Sequence, residues 1–294
     1  MDAVRIGVVT VKGPDYHPTA RLSEAASARG AQVVLVHPYR HPAGLVGGRA
    51  MLGAALDGGI LDALLPRQGA EIKTACLPLI AHFEQAGIPV VNGLRAILTV
   101  RHKFLAMQAF AAAGLSVPDT LYVGDGQAYA EATARLGPGP VVVKPVRGRQ
   151  GSGIACLTPG QRLPKPLAFE LDQGNGLLVQ AFIDPAVRRD LRVLVVGGQV
   201  VGAMALTPAA GEFRANFHLG ARSRNVDPSP EIAAAALNAA DAVGLEIAGV
   251  DLMRLENGTI LVLEANYAPG FRGLEQATGR DVAGRIIDYV LSRL

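Results

Sequence analysis

Two carboxylates and an amide stand at spacings that suit a hard cation. In the stretch 248–266 (AGVDLMRLENGTILVLEAN) two apolar runs flank Asn257-Gly258. That dipeptide favours a two-residue type I′ hairpin turn, in which both central residues take positive φ. Such a turn pairs Glu256 with Thr259, Leu255 with Ile260 and Asp251 with Glu264, and the strand period of two adds Asn266 to the face of Glu264. The expected face is apolar near the turn, through Leu255, Met253, Ile260 and Val262, with oxygen ligands at its far end. Carboxylates set opposite each other on a half-buried sheet repel unless positive charge lies between them. Oxygen-only donors select Mg2+ or a similar ion, which at such sites commonly also holds nucleotide phosphates. A sheet edge where these side chains simply reach water is the alternative reading.

A second constellation centres on a lysine. Val141-Val142-Val143 leads into Lys144-Pro145, then Arg147-Gly148-Arg149-Gln150-Gly151-Ser152-Gly153, and 154–157 reads as the return strand. A glycine-rich turn lets backbone N–H groups close over phosphate oxygens where side chains would block the approach. No Gly-Lys dipeptide occurs anywhere, so this is not a Walker A loop. The chain has five lysines (Lys12, Lys73, Lys103, Lys144, Lys165) against 23 arginines. Where arginine serves for general charge, a lysine after three valines points to a specific task. A plain hairpin is the competing reading, and the carboxylate hairpin tips the balance toward phosphate binding.

Between these two lie cations in alternating strands. Asp190 and Arg192 share one strand face, and Arg214, Asn216 and His218 share another. Cations beside a metal–phosphate site would offset charge developing on a transferred phosphoryl group. A solvated strand face is the plain alternative, and His218 reads as structural. Other chemistries drop out: there is no GxSxG and no HExxH, and Pro38 breaks the helical spacing of His37 and His41. Cys76 and Cys156 lie in apolar surroundings, far apart and without CxxC, so they read as inert core thiols rather than a disulfide or zinc site.

These residues need a scaffold. Strands are expected at 4–11, 32–36, 61–65 and 88–91, with helices at 19–29 and 72–85 between them, which implies a parallel sheet. The dinucleotide fingerprint is missing, because Gly7-Val8-Val9-Thr10 is not GxGxxG. One helix is predicted over 99–113. From Val141 onward, Gly-rich turns such as Gly197-Gly198 predict antiparallel hairpins. Ser229 as N-cap and Pro230 at the first helical position open a helix over 231–243 that closes at Gly244. The fold class is therefore α/β plus α+β.

Length and composition agree. At 294 residues the chain suits about two domains or three smaller lobes, and 50% hydrophobic residues permit a large core. A net charge of +3 does not suit a nucleic-acid binder driven by charge. The N-terminal residues lack a basic, then apolar, leader, and no run of 18 apolar residues occurs, so neither a secretory signal nor a membrane span is expected and the expected compartment is cytoplasmic.

Taken together, the motifs resemble those of ATP-grasp ligases, in the RimK-like branch that includes the ribosomal-protein glutamate ligase. The resemblance rests on Lys144 before its glycine loop, 177–183, Asp190-Leu191-Arg192, Glu212-Phe213-Arg214-Ala215-Asn216, Asp251 with Glu264-Ala265-Asn266, the tail 268–284, and 62–69. It implies an ATP-grasp fold with an N-terminal α/β pre-ATP-grasp lobe (1–98), a central lid lobe (99–179) and a C-terminal catalytic lobe with an antiparallel sheet (180–294). It further implies phosphate contacts from Lys103, Lys144 and Gly151-Ser152-Gly153, adenine contacts from Gln180 and the Ala181-Phe182 backbone, and Asp190 on the ribose side. Arg214 and Asn216 would line the triphosphate. Asp251, Glu264 and Asn266 would hold two Mg2+ ions, with Mn2+ as a substitute. Arg192 and Arg214 would act in catalysis, and Arg67 would bind substrate. The chain departs from the family pattern at Ala181, Leu219, Ala268 and Arg272.

The implied activity is ATP-dependent carboxylate–amine ligation through an acyl phosphate, releasing ADP and phosphate and adding an amino acid such as glutamate to a protein or small-molecule acceptor. The expected partners are ATP, a carboxylate and an amine, without membrane or direct nucleic-acid binding, in a homo-oligomer. The alternatives are a silent ATP-binding adaptor and a ligase of a small-molecule dipeptide or cofactor pathway.

Overall fold

The computed structural model describes residues 3–40, 43–52, 61–67, 74–148, 153–215 and 219–294, with the side chains of 43 and 49–52 left aside. The first third follows the expected alternation: β1 (Val4–Val9), α1 (His17–Ser27), β2 (Ala31–Val36), β3 (Ala43–Val46), β4 (Arg49–Leu52), β5 (Ala63–Pro66) and α2 (Cys76–Gln85). Strands β2-β1-β5 form a parallel sheet. The strand expected at 88–91 contributes a single parallel bridge, Leu64 to Val90. Residues 72 and 73 of the expected helix lie outside the described residues. The β3–β4 hairpin, antiparallel, has no counterpart in the expectation.

The helix predicted over 99–113 is instead two, α3 (Leu94–Arg101) and α4 (Lys103–Ala112). His102 between them is extended, at φ −114° and ψ 100°. Its side chain accepts a long bond from the Leu105 N–H, and the Lys103 N–H donates to the Val146 carbonyl at 2.9 Å instead of continuing the helix. The break therefore couples Lys103 to the strand that carries Lys144.

The middle of the chain forms β6 (Thr120–Val123), α5 (Gly126–Arg135), β7 (Val141–Pro145), β8 (Ala155–Leu157), α6 (Lys165–Asp172) and β9 (Leu177–Ala181). Its antiparallel sheet has the order β6-β9-β7-β8, and Val123, Val141, Val143, Leu167 and Val179 give it a core of its own. Cys156 sits on the edge strand β8 and is exposed, in contrast to the core placement expected from its apolar neighbours, whereas Cys76 is buried. An edge strand turns every second residue outward.

The last third contains β10 (Arg188–Val196), β11 (Gln199–Thr207), β12 (Arg222–Val226), α7 (Pro230–Ala242), β13 (Ile247–Leu255), β14 (Ile260–Asn266), α8 (Arg272–Thr278) and α9 (Val282–Leu291). The five strands form an antiparallel sheet, β12-β11-β10-β13-β14. Helix α7 starts at Pro230 as predicted, although the Ser229 side chain makes no capping bond.

The hydrophobic clusters join the first and last thirds. Ile6, Val8 and Leu22 pack with Leu194, Phe271, Ile286 and Val290, and Val9, Leu64 and Phe83 share a second cluster with Val193, Ala236 and Val250. Buried Asn92 links the same two parts: its Nδ2 donates to the Ile247 and Tyr267 carbonyls, and its Oδ1 accepts from the Glu246 and Ile247 N–H groups. Arg21 adds ion pairs to Glu275 and Asp281. Among the described residues, no helix is long and apolar enough to cross a membrane.

Candidate active site

The register of β13 and β14 brings Asp251 opposite Glu264, with Asn266 opposite Gly249. The route differs from the expected one. The Leu255 N–H donates to the Thr259 carbonyl and Gly258 takes φ +87°, so the turn is one residue longer than a two-residue loop. Near the turn Met253 pairs with Leu261 and Leu252 with Val262; an irregularity beyond Leu252 then restores the expected pairing at Asp251. The expected face is corrected accordingly, because the extra residue puts Val262 with Leu252 in the core and leaves Glu264 with Asp251 on the opposite side.

Strand β10 adds to that same face. Arg192 lies directly opposite Asp251, and Asp190 opposite Met253. Arg192 clasps Asp251 through two bonds, Nε to Oδ1 at 2.7 Å and Nη2 to Oδ2 at 2.6 Å. Burial pushes the Asp251 carboxyl up, Arg192 pulls it back and the Glu264 charge pushes it further up. Asp251 in turn holds the Arg192 guanidinium well above its ordinary range. The face thus holds two carboxylates in register and one cation already offsetting them. Each carboxylate oxygen bound by Arg192 keeps a further lone-pair direction, so Asp251, Glu264 and the Asn266 amide oxygen fit an oxygen-ligated hard cation. Among the described residues no group of three or more acidic, histidine or cysteine side chains gathers, here or elsewhere; at this site the third oxygen donor is the Asn266 amide.

Lys144 reaches this region from β7. It is buried, and its pKa is pushed down to about 8, first by burial and further by Lys103, while the Glu264 charge opposes the shift. Lys103 is held nearby through Nζ to the Gly148 carbonyl at 2.7 Å. Gly153 closes the loop with φ +71°, and a Cβ there would meet the Pro145 ring at 3.2 Å. Glycine therefore lets the loop return against the residue after the lysine. Gly151, Ser152 and Asn216 lie outside the described residues.

Gln180 is turned inward: its Nε2 donates to Thr120 Oγ1 at 2.7 Å and makes a longer contact with Met107 Sδ. The N–H groups of Ala181 and Phe182 donate to the Asp119 and Pro140 carbonyls. Phe182 meets Phe213 edge-on, at 5.9 Å between ring centroids, and the Arg214 guanidinium lies over Phe213. Arg214 is paired with Glu212, whose carboxyl it holds down at about 2. Arg67 follows β5 and is half-buried; its Nη2 donates to the Pro269 carbonyl, and burial of the guanidinium pushes its pKa down to about 10.

Arg188 went unnoticed in the sequence. It is buried and donates to Asp190 Oδ2, to the Ile183 carbonyl and to the Phe213 carbonyl. One guanidinium thus ties the exit of β9 to the segment bearing Arg214 and to the acid of β10. Its only signal was an arginine pair before Asp190, where surface charge is the ordinary reading. Arg188→Ala strands the buried Asp190, and we expect it to cost about 3–5 kcal/mol of stability, measured by denaturant unfolding; Arg188→Lys recovers part of that loss.

Gly249 is the other missed position. A Cβ there would sit 2.8 Å from the Pro269 ring, so the bare backbone is what lets Pro269 fold down onto the sheet and offer its carbonyl to Arg67. Gly249→Ala should displace Pro269 at a cost of about 1–3 kcal/mol, and a crystal structure of the variant would show the Arg67–Pro269 contact broken.

Residues 100–290 match the model of the RimK-like ATP-grasp domain. A relative named "Probable alpha-L-glutamate ligase" from Teredinibacter turnerae is 34% identical over 290 residues, covering 98% of this chain and 95% of the relative. One of the same name from Aeromonas salmonicida is 35% identical over 280 residues, covering 94% and 93%. Among solved structures, the ATP-grasp ligase PsnB complexed with minimal precursor superposes at TM-score 0.75 over 100% of both chains, with 23% identity. D-cycloserine synthetase DcsG superposes at TM-score 0.73 over 98% of this chain and 99% of that one, with 18% identity. PsnB has also been solved with minimal precursor, Mg and ADP.

Proposed function

Because the chain belongs to the RimK-like ATP-grasp ligases, ATP-dependent enzymes that join a carboxylate to an amine, we propose a division of labour among its residues. ATP phosphorylates the substrate carboxylate with ADP as the leaving group; an amine then attacks the acyl phosphate, and phosphate leaves as the amide forms. The observation that carries this reading is the in-register pair Asp251–Glu264 with Arg192 and Lys144 gathered about it.

Asp251, Glu264 and Asn266 would hold two Mg2+ ions, with Mn2+ as a substitute; bound there, the metal supplies positive charge against the phosphate oxygens. Lys144 and Lys103 bind phosphate oxygens, with the backbone of Gly151, Ser152 and Gly153 closing over them. Arg214 and Asn216 line the triphosphate. Arg192 offsets charge as the phosphoryl group moves, and Asp190 faces the ribose. The Ala181 and Phe182 N–H groups are already bonded, so the contribution of this stretch to adenine is through carbonyl oxygens. Gln180 acts from within, fixing β9 against Thr120. Residues 99–179 form the lid, 1–98 the substrate lobe and 180–294 the catalytic lobe, with the lid excluding water that would hydrolyse the acyl phosphate. The separate core of the middle sheet supports a lid of its own, whereas Val100, Ala106 and Phe110 pack in the core shared by the outer parts.

The name of the relatives favours L-glutamate as one substrate. The test is ADP release from Mg-ATP with L-glutamate and a panel of peptides and small carboxylates as acceptors. Glutamate-dependent ADP release with a new amide in the product supports the reading. Nucleotide binding without turnover across the panel contradicts it and favours an adaptor.

A further inference from the structure

Between β11 and β12 the chain carries an acid and an arginine two residues apart, Glu212 and Arg214, both half-buried. Glu212 Oε1 accepts from the Phe213 N–H at 2.9 Å, from the Arg214 N–H at 3.0 Å and from Arg214 Nε at 2.9 Å. Glu212 Oε2 accepts from Arg214 Nη2 at 2.6 Å. The Nε and Nη2 donors form a fork on the two oxygens, which fixes the guanidinium plane, and the two backbone donors fix the carboxylate itself. The segment has anchors of its own. The Glu212 N–H donates to the Ala209 carbonyl at 3.0 Å, and Arg188 Nη2 donates to the Phe213 carbonyl at 2.6 Å. The Phe213 ring meets Phe182 edge-on, with the Arg214 guanidinium 5.6 Å above it.

We propose that Glu212 is a positioning residue for nucleotide binding: it holds the Arg214 guanidinium in the direction from which it meets the triphosphate, without touching the nucleotide itself. The proposal rests on the reading that Arg214 lines the triphosphate. Charge alone argues against an acid at this place, because a carboxylate beside a cation that attracts phosphate subtracts from that attraction. Direction accounts for it. An arginine side chain has many rotamers, and ordering it at the moment the nucleotide binds weakens binding; a fork made beforehand removes that cost. The fork uses the Nε–Nη2 edge, so the edge that carries Nη1 is the one turned away from Glu212. Arg214 also holds the Glu212 carboxyl down at about 2, so the pair stays ionised at neutral pH. The anchors through Arg188 and Phe182 set this pair against the exit of β9, the stretch that takes the adenine in the same reading. The direction of Arg214 is thereby fixed relative to the base as well as to the sheet.

Repulsion and positioning give opposite signs in one experiment, calorimetric titration of Mg-ATP into the full-length protein without a carboxylate acceptor. Glu212→Gln removes the charge and one arm of the fork, and it should weaken Mg-ATP binding by about tenfold or more. Glu212→Asp keeps the charge on a shorter stem and should recover part of that loss. Arg214→Met should weaken binding at least as much, and adding Glu212→Gln to it should cost nothing further, because the acid acts only through the arginine. Additive losses would mean a general structural role and overturn the proposal. So would binding that is unchanged or tighter in Glu212→Gln, the sign expected of an acid that merely repels phosphate. Urea unfolding of each variant checks that the fold is kept. Should Glu212→Gln fail to fold, the same comparison is made with Glu212→Asp, alone and with Arg214→Met, and additive or absent losses there overturn the proposal. Unaltered affinity in Arg214→Met would remove both the triphosphate role of Arg214 and the positioning role of Glu212. The expected binding pattern in a chain that releases no ADP with any acceptor would instead contradict the ligase reading and leave the positioning standing.

Discussion

Asp251→Asn and Glu264→Gln should each lower ATP turnover by about 10³-fold in a protein that still unfolds cooperatively. The two residues face each other across β13 and β14 on the side of the sheet away from the core residues Val250, Leu252, Val262 and Ala265. Exchanging a carboxylate for its amide keeps the shape but removes the charge a hard cation needs and turns one acceptor oxygen into an NH2 donor. The two variants should differ in stability. Asp251 is the one clasped by Arg192, so Asp251→Asn leaves that arginine without its counter-charge and should unfold at lower denaturant than Glu264→Gln. Steady-state ADP release and urea unfolding check both parts. Turnover within tenfold of the unaltered enzyme in either variant would remove these residues from the metal role.

Lys144→Met should weaken Mg-ATP binding by about 10²-fold, the loss typical of a buried charged donor to an anion. The pH dependence gives this prediction its sign. Burial and Lys103 bring the Lys144 pKa down to about 8, so without nucleotide the ammonium loses its proton as pH rises through that value. Phosphate oxygens favour the charged form, so binding above pH 8 must take up a proton. Apparent affinity should therefore be flat below about pH 7 and fall above pH 8, approaching tenfold per pH unit. Lys144→Arg should flatten the profile, since its guanidinium does not titrate there. Calorimetry in buffers of different ionisation enthalpy reads the proton directly. A flat profile to pH 9.5 in the unaltered enzyme would mean that Lys144 stays charged throughout and that the burial argument fails.

How far the sequence foretold the molecule depends on the range of the interactions. The Asp251–Glu264 pairing was legible because strand alternation and a turn signal are local, and it holds even though the turn is a residue longer than expected. The longer turn and the irregularity at Leu252 offset each other, and neither has a signal apart from the other. The break at His102 was invisible because its cause, the Val146 carbonyl taking the Lys103 N–H, lies 43 residues further along the chain. Arg188 and Gly249 were missed for the same reason: the Phe213 carbonyl and the Pro269 ring that give them meaning come from distant segments. Arg67 stood out as an arginine in a polar loop, but the burial of its Nε and Nη1 without a hydrogen-bond partner is a property of the packed interior alone.

The chemistry itself is tested most directly by trapping the activated acid. The enzyme is incubated with Mg-ATP, the carboxylate acceptors and hydroxylamine in place of the amine substrate. A hydroxamate of the acid is expected together with ADP and phosphate in equal amounts, with all three lost in Asp251→Asn. Formation of AMP and pyrophosphate, or ATP consumption that leaves a stable phosphorylated product and no hydroxamate, would contradict it.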